Sequence, residues 1–200
     1  MRTESTVDKR AEFVTRLYRL HDGLESEVPA RVSEARRTLA VLRRSLRDQA
    51  QEAHAHEFVF PHEPPRSEED VWVLVAGLFA LHNQPLRRGQ QRRSLGAAMR
   101  TARGENGAGV DRRFRQLLAV EGDVLRHHLR QALTLLRSER IPVDYHQLLD
   151  DLVVLLDERD RSDDQRRRVR LRWSREYHEK PAKADDTTAD ATQHEPVETS

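Results

Sequence analysis

A chain of 200 residues is long enough to bury a core without staples, and with no cysteine it has neither disulfides nor thiolate metal sites. Its charges nearly cancel, but unevenly: from Pro181 onward Asp185, Asp186, Asp190, Glu195 and Glu198 meet only Lys183, a net of −4 that leaves +5 on the first 180 residues. No apolar leader opens the chain, and the longest apolar run, Val71 to Leu81, is far short of the ~20 residues that span a bilayer, so a cytoplasmic protein without membrane contact is expected.

Apolar residues recur at helical spacing, which predicts an all-α protein. A first helix carries Phe13, Leu17, Leu20 and Leu24 on one face. A second begins near Pro29 and buries Val32, Leu39, Leu42 and Leu46, with Arg36, Arg37, Arg43, Arg44 and Arg47 on its other faces. Residues 51–70 hold three prolines and mixed polarity and read as an irregular connector. The following "VWVLVAGLFALH" is apolar all round and belongs at the centre. A basic segment comes next, part loop and part short helix from Leu95 to Ala102, closed by the turn "GENGAG".

The second half is regular. Phe114, Leu117 and Leu118 point inward from one helix, and Leu125, Leu129, Ala132, Leu133 and Leu136 from the next. Asp144 caps a third, which buries Leu148, Leu149, Leu152, Leu155 and Leu156, and Val169, Trp173 and Tyr177 line a fourth. The expected organisation is two helical lobes: residues 1–85, a basic connecting segment 86–109, a C-terminal four-helix bundle 110–180, and a disordered acidic tail 181–200.

From Leu86 to Arg115 the cations are Arg87, Arg88, Arg92, Arg93, Arg100, Arg103, Arg112, Arg113 and Arg115, opposed only by Glu105 and Asp111, a net of +7. Such crowding is costly unless a polyanion arrives, and the planar guanidinium suits phosphate. Solvated arginines meeting carboxylates from other helices are the alternative. Aromatic residues sit at core spacing rather than as stacking platforms, so backbone rather than base recognition is expected. His54, His56 and His62 lie in the connector, and His21 and Asp22 form the "HD" pair of helical metal phosphohydrolases, but no matching ligands accompany either group. His127 and His128 are adjacent and point to different sides of their helix. No phosphate loop, nucleophile elbow or paired catalytic carboxylate occurs. The chain reads as non-catalytic, without cofactor or metal.

In order, "LAVLRRSL", "FVFP", "LVAGLFALHNQ", "SLGAAMR", "VDRRFRQLLA", "LRQALTLLRSERIPVDYHQLLDDL" and "VRLRWSREY" resemble the CasB family, the small subunit of the type I-E CRISPR surveillance complex Cascade. The likeness runs from about Leu39 to Tyr177; the acidic tail and the first helix depart from it. The resemblance implies a two-lobed, non-enzymatic protein, present as a pair beside the Cascade backbone and large subunits, that helps hold guide RNA and target DNA and binds the displaced strand. By motif it points to Arg43 and Arg44, to Arg92, Arg93 and Arg100, and to Arg112 and Arg113; Arg87, Arg88 and Arg103 rest on charge alone. Alanine at Arg43, Arg44, Arg92, Arg93, Arg112 and Arg113 is expected to leave folding nearly untouched, and the acidic tail to shade the basic surface. A stand-alone helical DNA-binding protein is the rival reading, and an HD-type metal phosphohydrolase the third.

Overall fold

The computed structural model describes residues 2–47, 49–84, 90–104, 107–157 and 163–179. Nine α-helices run through them, and among the described residues the only extended pairing is a single parallel bridge between Arg93 and Val143. The chain is all-α as expected. The tail, expected to be disordered, lies outside the described residues.

α1 (Arg2–Leu24) buries Phe13, Val14, Leu17 and Leu20, one stripe of a 3.6-residue period. α2 (Pro29–Ser45) begins on proline, whose missing N–H costs nothing in a first turn, and buries Ala35, Leu39 and Leu42. Val32, Leu46 and Leu24, expected inside, are only half-buried.

The expected connector is instead mostly helix: α3 (Gln49–Val59) followed by a 3₁₀ turn at Phe60–His62. Pro61, Pro64 and Pro65 all fall after Val59, and proline disfavours helix at itself and the residue before it, not a turn upstream. Ala55 and Val59, one turn apart, supply the buried contacts that the mixed polarity concealed.

α4 (Glu69–His82) is buried at every residue from Val71 to Ala80. A Cβ on its Gly77 would lie 2.7 Å from the Leu46 side chain and 3.1 Å from the Leu42 carbonyl oxygen, so α2 and α4 meet through that glycine. Glu68, buried just before α4, accepts from Arg10 Nε at 2.9 Å and from Trp72 Nε1 at 3.2 Å.

α5 (Leu95–Arg103) is capped by Ser94, whose Oγ accepts from Ala97 N at 3.2 Å and donates to Glu176 Oε2 at 2.7 Å. α6 (Ala108–Ala119), α7 (Gly122–Ser138), α8 (Tyr145–Leu155) and α9 (Asp163–His178) follow. α7 buries Leu125, Leu129, Ala132, Leu133 and Leu136, the five expected positions. Asp144 caps α8 through His146 N at 2.9 Å. Leu118 and Leu156 are half-buried.

α9 packs on α5 so closely that a Cβ on Gly96 would collide with the Trp173 carbonyl oxygen. The Trp173 indole donates to buried Asp151 at 2.6 Å, and Tyr177 stacks on Phe114 with centroids 4.1 Å apart. α4 touches α2, α3, α7 and α8, and the buried side chains form one continuous cluster from Phe13 to Tyr177.

Candidate nucleic-acid interface

α6 turns Val110, Phe114 and Leu117 inward, which leaves Arg112, Arg113 and Gln116 exposed on its other side. The stripe that α7 buries leaves His127, Arg130 and Gln131 to face them. Between the two helices lies a groove of about 590 Å³ with no carboxylate among its lining residues. Within it, His127 Nε2 pairs with Gln131 Nε2 at 2.8 Å and Arg113 Nη1 donates to the Gly109 carbonyl at 3.3 Å. Arg112 has no hydrogen-bond or ion-pair partner among the described residues.

His127 and Arg130 also line a second hollow, of about 240 Å³, which extends toward Ser45 and Leu46 at the end of α2 and contains Glu52 and Asp123. The Arg130 guanidinium donates to the Leu46 carbonyl. Nearby, Arg43 Nε and Nη2 donate to the Ala80 carbonyl at 3.1 and 2.9 Å. Ala80 lies in the last turn of α4, where carbonyls lack intrahelical partners, so Arg43 closes that helix as well as charging the surface. Burial lowers the Arg43 pKa, and the like charges of Arg137 and Arg47 lower it further. Arg44 is exposed. The negative ends of the α2 and α7 dipoles favour these cations in their last turns.

The structure divides the ten expected arginines. Arg43 is tied to the end of α4 with Arg137 of α7 nearby, Arg44 is exposed on α2, and Arg112 and Arg113 line the α6–α7 groove. Arg92 lies elsewhere, its guanidinium 3.9 Å above the Tyr18 ring, whose phenol burial pushes up to about 12. Arg93 donates to Thr101 Oγ1 at 2.6 Å, and its carbonyl accepts from Asp144 N at 2.8 Å. Arg87 and Arg88 lie outside the described residues.

Arg100 finds an acid that the local sequence does not show, and Arg103 takes one of the two acids of its own segment. Arg100 pairs with Glu179 at 3.3 Å, and Arg103 with Asp111 at 3.2 Å while lying over the Tyr177 ring. Desolvation and the hydrogen bond to Asp111 raise the Tyr177 pKa.

Sequence reasoning missed Arg126, Arg130 and Arg137, which recur on α7 at spacings of four and seven and so share one helix face, a signal present in the sequence among the apolar positions. Among the described residues no three His, Asp or Glu side chains converge on a metal position. His56 stacks on Phe60, His62 packs against Phe13, and His21 Nδ1 pairs with Asn83 Oδ1 at 2.8 Å while Asp22 is exposed. No described helix is long and apolar enough to cross a membrane.

Residues 38–178 match the sequence profile of the CRISPR-associated protein Cse2 family. A CRISPR-associated protein Cse2 from Thermus thermophilus is 33% identical over 113 residues, 56% of this chain and 59% of that relative, so the chain spans under two thirds of its length. Among solved structures, CasB from Thermobifida fusca superposes with a TM-score of 0.61 at 26% identity, covering 86% of this chain and 98% of that one. A chain of a CRISPR RNA-guided surveillance complex superposes with a TM-score of 0.60 at 23% identity, covering 88% and 93%, a likeness in fold alone.

Proposed function

The chain belongs to the CRISPR-associated Cse2 family, and from that premise we propose that it is the non-catalytic small subunit of a cytoplasmic type I-E Cascade complex, holding nucleic acid by its phosphates along the α6–α7 groove. The observation that carries this is the groove itself: Arg112, Arg113 and Arg130 line it without a carboxylate. Its ligands are guide RNA, target DNA and the displaced strand. Its protein partners are the Cascade backbone and large subunits and a second copy of itself.

Recognition is of backbone rather than sequence. Trp72 and Trp173 are fully buried and Phe114 nearly so, which leaves these rings unable to stack on bases. Exchanging a DNA duplex for an RNA–DNA hybrid is nearly balanced in free energy, so modest holding of the displaced strand by phosphate contacts shifts the outcome toward the open state. Arg44 adds an exposed cation on α2, whereas Arg92 and Arg93 lie away from the groove. The helices before the basic segment and those after it act as two lobes joined through α4.

The test is R-loop formation by Cascade assembled with Arg112→Ala/Arg113→Ala subunits and probed by permanganate on the displaced strand. Normal assembly with fewer or shorter-lived R-loops is expected. R-loops of wild-type yield and lifetime would overturn the groove assignment, and tight duplex binding by the isolated subunit would favour a stand-alone DNA-binding protein.

A further inference from the structure

After α9 the chain carries five carboxylates, Asp185, Asp186, Asp190, Glu195 and Glu198, against Lys183. The place from which it departs is fixed. Tyr177 stacks on Phe114, and Glu179 is held by Arg100. Phe114 follows directly on Arg113, which lines the α6–α7 groove. From Glu179 to Asp185 is six residues, an extended reach of ~20 Å, whereas a helix with its side chains is only ~10–12 Å across. A segment of that length is long enough to cross α6.

Beyond α6 lies a complementary seat. The groove offers Arg112, Arg113 and Arg130 with the amides of Gln116 and Gln131, and no carboxylate competes for them. Tethering gives such a segment an effective concentration in the millimolar range, so weak ion pairing suffices to populate the contact, while salt screens it over ~8–10 Å. We propose that the acidic segment 181–200 binds in cis to the α6–α7 groove, occupying the seat of the nucleic-acid backbone until a strand displaces it. As regulation of binding, this rests on the nucleic-acid reading of that groove; as a docking contact it stands without it. Its consequence is discrimination: stray nucleic acid meets a covered groove, whereas a strand held by the rest of an assembly outcompetes twenty residues of tail.

Because no free cysteine is described and the sequence contains none, a single spin label at Thr188→Cys tests the contact in the full chain. At low salt, paramagnetic broadening should concentrate on the amides of Arg112, Gln116, Gln131 and Thr134, disappear in Arg112→Ala/Arg113→Ala, and be relieved by a single-stranded oligonucleotide. Truncation after Lys180 should tighten oligonucleotide binding several-fold at low salt and change nothing at high salt. Broadening that is absent or spread evenly over the surface overturns the docking proposal, even if the oligonucleotide shifts the groove amides. Broadening at the groove that persists while the oligonucleotide is bound elsewhere keeps the docking contact and overturns the nucleic-acid reading instead.

Discussion

Two neighbouring parts of the molecule use arginine in opposite ways. Where α5 and α9 meet, Arg100 and Arg103 are answered by Glu179 and Asp111, and the surrounding contacts are structural: Ser94 on Glu176, Gly96 against Trp173, Tyr177 on Phe114. In the α6–α7 groove Arg113 and Arg130 donate only to backbone carbonyls, Arg112 has no partner among the described residues, and no carboxylate is among the lining residues. Arginine content alone does not identify a binding surface. What does is whether the fold brings an acid to each guanidinium, and here it does so on one side of α6 only.

The contrast predicts different responses, largest on folding first. Trp173→Ala removes a fully buried ring from the α5–α9 contact and takes one partner from Asp151, so urea unfolding should report a loss of ~3–5 kcal/mol. His82 comes next. Burial lowers its pKa from 6.5 to about 4, so the fold keeps it neutral while the unfolded chain takes up a proton below about 6.5. Stability should therefore fall as pH drops from 6.5 toward 4, by up to about 3 kcal/mol at ~1.4 kcal/mol per pKa unit, and His82→Gln should flatten that stretch of the pH profile.

Arg43→Ala sharpens the comparison because this residue belongs to both kinds. It leaves the Ala80 carbonyl unpaired and should cost ~1–2 kcal/mol, against the sequence expectation that alanine there is neutral. Arg100→Ala and Arg103→Ala break partly exposed ion pairs and should cost ~0–1 kcal/mol each, with no change in the salt dependence of oligonucleotide binding. The smallest effect on folding, within about 0.5 kcal/mol, belongs to Arg112→Ala/Arg113→Ala. That variant alone should flatten the log–log salt slope, by about 1.4 for two lost single-strand phosphate contacts. An equal change in slope from Arg100→Ala/Arg103→Ala would erase the distinction between the two regions.

The sequence spoke clearly where one helix turn holds the information. The apolar stripe of α7, the Asp144 cap and the Val169, Trp173 and Tyr177 series were legible because period and capping are local. α3 was hidden by prolines that follow it rather than interrupt it. The fate of Arg100 was illegible for another reason: its acid lies 79 residues downstream, and it is tertiary packing, Gly96 against Trp173 and Ser94 on Glu176, that brings the two helices together. The groove was half legible, since Arg112 and Arg113 stood out by charge whereas Arg130 was lost among leucines.

The start of α8 is held by groups from far upstream, and this dictates an order of events. Tyr145 N donates to the Tyr18 hydroxyl at 3.1 Å across 127 residues, and Arg10 reaches Asp150 across 140. Such distant contacts carry a loop-closure cost that slows folding. On a ribosome adding ~5–20 residues per second, α1 waits roughly 7–30 s for its partner to be made, at separations of this length. Over that interval the helices of the first half pack without α8, with Arg10 already held by Glu68 and Tyr18 against Phe79, and only the Tyr18 hydroxyl and the Arg10 nitrogen that later meets Asp150 wait for their partners.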